Sequence, residues 1–179
     1  MSKHSWLACL PLIILIGLVT VFALALKHGG GEEQKFAQHI DEPAPLTVLS
    51  ALNSDQSPFS TRAWLGRPYL INFFASWCVP CRSEHESLLQ LAKAGLPIIG
   101  IAYKDKTPAV AKFLAREGNP YAIAVDDSSG RSGIDWGITG VPETFVIDAK
   151  GMIRFHAVGP MSEDMIDRQL LPVWSEVKG

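Results

Sequence analysis

Hydrophobic and polar positions divide the chain into one long apolar run, a polar spacer, and a region of short alternating periods. Trp6 to Leu26 carries no charged residue. About 20 apolar residues suffice for a helix to cross a bilayer, and membrane helices tolerate interruptions such as Pro11 and Gly17. The expectation is an N-terminal membrane anchor over residues 1–28, with one transmembrane helix. A cleaved signal peptide is the competing reading, but its apolar core is shorter and ends in a small-x-small site. Here Lys27-His28-Gly29-Gly30-Gly31 follows without a clear Ala-x-Ala, which favours an uncleaved anchor. Cys9 reads as an ordinary apolar residue of the span. Residues 29–45 are polar, with glycine and proline, and read as a tether.

Residues 46–179 predict an α/β domain. Leu46–Leu52 and Ser57–Ser60, separated by Asn53-Ser54-Asp55-Gln56, form a candidate N-terminal β-hairpin. Thr61–Leu65 reads as one helical turn ending at Gly66. Pro68–Ala75 is a mostly apolar strand suited to a buried central position. After it comes a helix to about Ala94, on which Cys81, Glu84, His85, Leu88, Leu91 and Ala92 share one stripe. Leu96–Tyr103 is a second strand. Thr107 is the expected N-cap of the next helix, with Pro108 at its first position. Tyr121–Val125 is a third strand, and Asp126–Gly137 a polar loop with room for a helical turn. Thr144–Asp148 and Met152–Val158 are expected to pair as a hairpin. A last helix starts at Ser162 and runs to about Trp174. Parallel strands need crossover helices, so the alternation implies a sheet covered on both faces with a late antiparallel hairpin.

Charge narrows the partners. From residue 28 onward 14 Lys and Arg stand against 18 Asp and Glu, so no basic excess points to nucleic acid. The very short N-terminal side makes an N-in, C-out topology the expectation. Only Cys78 and Cys81 lie outside the anchor, and an oxidising compartment usually brings more structural disulfides. The pair itself is therefore the candidate function.

Trp77-Cys78-Val79-Pro80-Cys81 sits where a strand passes into a helix. Free N–H groups and the dipole at a helix start favour thiolate over thiol, and the thiolate is the nucleophile. Cys78, at the more exposed helix start, is the candidate nucleophile. Cys81, one turn on and facing the core, is the candidate resolving thiol. Structural zinc wants four ligands, and Cys78, Cys81 and His85 supply three without a second pair. Haem attachment needs Cys-x-x-Cys-His, and Arg82 follows Cys81. A static disulfide stays open on spacing alone. No metal and no cofactor are expected.

The order strand, Cys-x-x-Cys, helix, strand, helix, late hairpin and helix resembles thioredoxin. The residues that narrow it are Trp77 to His85, Tyr103-Lys104-Asp105, Gly118 to Ala122, and Gly140-Val141-Pro142-Glu143-Thr144-Phe145-Val146-Ile147-Asp148. Together they resemble the membrane-tethered thioredoxin-like group that includes TlpA, ResA and the CcmG/DsbE family, and most of all that last family. The resemblance implies a cis bond before Pro142, with the Val141 backbone open to an incoming strand beside Cys78. It also implies a central strand-helix insert between Cys81 and Pro142. It further implies a single-pass protein of the bacterial inner membrane with its domain in the periplasm. Such a protein keeps the haem-binding cysteines of apocytochrome c reduced, directly or through a CcmH-like thiol protein, with electrons from a membrane thiol transporter. The alternatives are a general periplasmic disulfide oxidase or isomerase and a thioredoxin-fold metallochaperone. The two-residue gap between the cysteines argues against the last.

Four further positions carry expectations. Trp77 covers the disulfide. Pro80 restrains the helix start and removes a donor there, which influences Cys78 acidity. Glu84, on the buried stripe, has a raised pKa and exchanges protons with Cys81. Glu143 adds negative charge at the binding groove.

Overall fold

The computed structural model describes residues 10–28, 40–53 and 55–179. The chain divides into two compact units, Met1–Glu33 and Gln34–Gly179. In the first, helix α1 spans Leu10–His28. Leu12, Ile13, Ile14, Leu15 and Ile16 follow one another along it and are each more than half exposed, so apolar side chains face outward on every side. Among the described residues no helix is long and apolar enough to cross a membrane, and the start of the expected span, Trp6 to Cys9, lies outside them. Residues 29–39 of the expected tether lie outside them as well.

The second unit is built on a five-stranded sheet of order β5-β4-β3-β6-β7. Its strands are β3 (Tyr69–Phe74), β4 (Ile98–Tyr103), β5 (Ile123–Asp127), β6 (Glu143–Ile147) and β7 (Ile153–Val158). β3 pairs in parallel with β4, and β4 with β5, while β6 runs antiparallel to both β3 and β7. Helices α2 (Val79–Lys93) and α3 (Thr107–Glu117) make the two parallel crossovers, and a short helix α4 (Arg131–Asp135) precedes β6.

Side chains alternate across a strand, and the two faces of β3 feed separate cores. Leu70 and Phe74 join Cys78, Cys81, Leu88, Leu91 and the C-terminal helix. Tyr69, Ile71 and Phe73 join Phe59, Trp64, Trp136 and Phe145. Asn72 falls on the α2 face and is fully buried. Gly100 on β4 has a steric cause: a Cβ there would stand 2.6 Å from the Tyr121 ring.

Several expectations shift. The N-terminal hairpin is present but brief, β1 (Val48–Leu49) against β2 (Phe59–Ser60). The residues after β1 turn away to β5 instead, with Leu52 N–H donating to the Ala124 carbonyl and Asp126 N–H to that of Ser50. Residues 41–44, expected in the tether, dock on the domain. Asp41 N–H donates to Ile153 O and Ala44 N–H to Gly151 O, while Ile153 N–H donates to Glu42 O. Thr107 is the first residue of α3 rather than its cap. Lys106 holds the cap position without a side-chain bond, and Pro108 falls one residue later than expected. The last helix begins after Ser162, whose hydroxyl accepts Met165 N–H, and it passes Trp174 to reach Lys178. It comprises α5 (Glu163–Met165), a wider π turn over Ile166–Leu170, and α6 (Leu171–Lys178). Pro172 lacks an N–H and crowds the carbonyl four residues back, which a π turn relieves.

Candidate functional site

Cys78 and Cys81 are joined as a disulfide at the start of α2, with their Cα atoms 5.3 Å apart. Cys78 is the N-cap residue, and its Sγ accepts the Cys81 N–H at 3.1 Å. A helix-start N–H aimed at this sulfur is the donor a thiolate would use once the disulfide opens. Pro80 lies in the first turn and is exposed, as are Trp77 and Val79. Both cysteines are buried, at 3% and 2% exposure, so the expected difference in access between them is absent. One cause is the loop before β6. It brings the Val141 carbonyl oxygen to 3.4 Å from Cys78 Sγ. The Val141–Pro142 bond is cis.

Trp77 does not fold down as a cover. It is 56% exposed, and its indole N–H donates to the Lys104 carbonyl at 3.3 Å. The linker between β3 and α2 is held from several directions. Ser76 N–H donates to Asp105 Oδ2 at 2.6 Å, and Arg82 Nη2 donates to Ser76 O at 2.8 Å. Cys78 N–H donates to Ala75 O at 3.2 Å. His85 is packed in the core. Its Nε2 is 3.0 Å from Gly118 O and its ring meets the edge of Phe113. Among the described residues no group of three or more His, Cys, Asp or Glu side chains is placed to hold a metal ion.

Glu84 lies under the helix at 1% exposure. Asn72 Nδ2 donates to its Oε1 at 2.9 Å and Met161 N–H to its Oε2 at 3.1 Å. The same Asn72 amide donates to Thr144 Oγ1, and Asn72 Oδ1 accepts the Tyr121 hydroxyl. Burial pushes the Glu84 carboxyl from 4.5 up to about 7, against the lowering effect of these two hydrogen bonds. Tyr121 is held well above its usual range by burial and by the nearby Glu84 charge. The carboxylate hydrogen-bonds to Asn72 and Met161, not to Cys81.

Glu143 does not reach a groove. It is 1% exposed, directed beneath the loop that carries the cis bond. Its Oε1 accepts Thr139 N–H at 2.6 Å, Thr139 Oγ1–H at 2.9 Å and Gly140 N–H at 3.1 Å. Its Oε2 meets His156 Nε2 at 2.7 Å. Burial raises this carboxyl, but the bonds from His156, Thr139 and Gly140 outweigh it and leave the pKa below its usual value. His156 stacks on Phe145, its cross-strand partner, at 4.0 Å between centroids. Glu143 thus fixes the backbone that places Val141 against Cys78.

Sequence reasoning quoted Asp105, Tyr121 and Thr144 within motifs without giving them a role, and it missed Asn72 and His156. The available signal was a lone amide in an otherwise apolar strand, Tyr69-Leu70-Ile71-Asn72-Phe73-Phe74. The others depend on strand register, which pairs Asn72 with Thr144 and Phe145 with His156.

Comparison with known proteins places this geometry. The family described as Redoxin matches residues 39–170. The thiol:disulfide interchange protein DsbE of Pasteurella multocida is 37% identical over 170 residues, covering 93% of this chain and 94% of the relative. HelX of Rhodobacter capsulatus, also a thiol:disulfide interchange protein, is 39% identical over 166 residues, covering 92% and 93%. Among solved structures, a thiol:disulfide interchange protein of the thioredoxin family from Chlorobium tepidum is 34% identical. It superposes with a TM-score of 0.61 over 80% of this chain and 99% of that one.

Proposed function

The chain belongs to the Redoxin family and is a thiol:disulfide oxidoreductase of thioredoxin-like fold, and from that premise we propose that Cys78 and Cys81 are its exchanging pair in cytochrome c maturation. The observation that carries the pair is the disulfide at the start of α2, with Cys78 Sγ beside both the Cys81 N–H and the Val141 carbonyl.

In the reducing direction the Cys78 thiolate attacks a client disulfide. One client sulfur leaves as thiolate, and a mixed disulfide forms. The Cys81 thiolate then attacks Cys78 Sγ, the second client sulfur leaves, and the Cys78–Cys81 disulfide is restored. Two electrons pass to the client, whose thiolates take up the two protons. A dithiol donor must re-reduce the pair. The client is the haem-binding cysteine pair of apocytochrome c, or a CcmH-like thiol protein serving it, and the donor is a membrane thiol transporter. Support for this assignment is the resemblance to the CcmG/DsbE family over the active-site motif and the Gly140–Asp148 segment. Trp77 and Val79 offer an exposed apolar rim beside the disulfide, and in this proposal the Val141 backbone is the edge on which a client strand would pair.

A single-pass inner-membrane anchor with the domain in the periplasm completes the proposal. It rests on the uncharged run Trp6–Leu26 and on the exposed apolar side chains around α1. The proposed organisation is residues 1–28 as anchor, 29–40 as tether, and the thioredoxin-like domain from the docked residues 41–44 to residue 179.

The deciding experiment is equilibration of the protein with defined thiol buffers. A reduction potential near or below about −270 mV, thioredoxin's range, is expected of a reductant. A value near about −120 mV would mean a disulfide donor and would overturn the reducing role.

A further inference from the structure

The stretch Tyr103-Lys104-Asp105 carries part of the family resemblance, yet the exchange chemistry leaves it without a task. Its geometry is distinctive. Lys104 adopts the left-handed region at φ 47°, uncommon for a side chain of this size. Its N–H donates to the Asp127 carbonyl at the end of β5, and its side chain lies where a Cβ on Gly130 would have to be. This turn sends the Lys104 carbonyl to the Trp77 indole and the Asp105 side chain, 8% exposed, toward the linker that precedes Cys78. The two Asp105 oxygens divide their work. Oδ2 accepts Ser76 N–H at 2.6 Å and Oδ1 accepts Lys106 N–H, at the cap of α3, at 2.7 Å.

We propose that Asp105 is a positioning residue for thiol exchange: its carboxylate braces Ser76 so that Cys78 stays in register with Cys81 and Val141 when the disulfide opens. The proposal rests on Cys78–Cys81 being the exchanging pair. Four residues, 75–78, link β3 to α2. While the disulfide is closed it ties Cys78 to the first turn of α2. Once it is reduced, Cys78 depends on the hydrogen bonds of its own linker. Apart from the contact of Cys78 Sγ itself with the Val141 carbonyl, the linker bonds made to elements beyond α2 are those from Ser76 and Trp77, and both end on Lys104–Asp105. A braced Cys78 has a high effective concentration toward Cys81, and effective concentration sets how readily the pair recloses. Loosening the brace therefore makes the disulfide easier to reduce.

The test separates holding from charge. Asp105→Asn keeps one acceptor oxygen at the same reach for Ser76 N–H, gives up the second bond to Lys106 N–H, and removes the charge. Asp105→Glu keeps the charge and moves the carboxylate by one methylene. Both variants and the wild-type chain are equilibrated with dithiothreitol or glutathione buffers, and the fraction oxidised is read by alkylation. Melting temperatures are recorded alongside. The expected result is Asn within about twofold of wild type and Glu shifted about tenfold toward the reduced form, close to 30 mV more oxidising. Equal constants for Glu and wild type would overturn the proposal, including the case where only the melting temperature falls. A larger shift for Asn than for Glu would overturn it too, because the carboxylate would then act by charge. A wild-type chain that fails to equilibrate at all would instead defeat the assignment of Cys78–Cys81, on which the brace depends.

Discussion

Two carboxylates, each 1% exposed, sit on opposite faces of the same sheet and behave oppositely. Glu84, beneath α2, accepts two hydrogen bonds from neutral donors and is pushed up to about 7. Glu143, beneath the cis-proline loop, accepts three bonds from Thr139 and Gly140, meets His156, and is held below the usual range. Solvent exposure is the same, but Glu84 lies deeper among protein atoms and is desolvated with only two donors to offset it. Glu143 is less deeply set and has more donors and an ionisable partner. The cis-proline loop is built around an anion. The helix floor is built around a carboxyl that changes state near neutrality.

The contrast can be broken most severely at Glu143. Glu143→Ala strips Thr139 and Gly140 of their acceptor and leaves His156 without its partner. A loss of about 3 kcal/mol or more is expected, because each donor left buried without an acceptor costs about 1–3 kcal/mol, measured by denaturant unfolding at pH 7. A loss under about 1 kcal/mol would show that the loop holds itself.

At Glu84 the expected effect depends on pH. Its folded pKa is raised, so folding holds its full stability below the unfolded value near 4.5 and loses it as pH rises through about 7. Glu84→Gln cannot ionise. It should match the wild type near pH 4 and exceed it by roughly 3 kcal/mol at pH 8, from the interval between those two values. Melting curves of both proteins across that range decide it, and a difference constant with pH would mean that Glu84 does not titrate in the fold. The same variant should flatten any part of the Cys alkylation profile that turns near pH 7.

The smallest expected effect is at Thr144, whose Oγ1 accepts the second Asn72 N–H at 3.0 Å. Thr144→Val keeps the shape and removes the acceptor. About 1 kcal/mol is expected, independent of pH, because the hydroxyl is never charged. A pH-dependent loss would mean that Thr144 steers Asn72 onto Glu84.

How much of this could be read from the chain depends on distance along it. Cys78 and Cys81 lie one turn apart at a strand-helix junction, so the local sequence was enough to single them out as a candidate pair, while spacing left a static disulfide open. The buried stripe of α2, with Glu84 in it, followed from helical periodicity. The cis bond at Val141–Pro142 was implied by resemblance and is present. Glu143 was singled out, but its role was misplaced. Whether a glutamate at a strand start faces a groove or a core depends on what lies across the sheet, and His156 reaches it only through the register of β6 on β7. Asp105 was quoted as part of a motif without a function, because its partner Ser76 is 29 positions away. The near-complete burial of Cys78 was equally illegible, since a loop more than sixty residues downstream contributes to it.

The docking of residues 41–44 sets an orientation. Their bonds reach Ile153 and Gly151, and Ile153 pairs with Ile147, which pairs with Tyr69 at the start of β3. The disulfide follows the other end of β3, after Phe74, five residue steps or about 16 Å along the strand. The polypeptide thus enters the domain at the end of the sheet remote from the cysteines. Residues 41–44 are a clamp on the end of the sheet opposite the working edge, and this segment takes up none of the surface around Cys78.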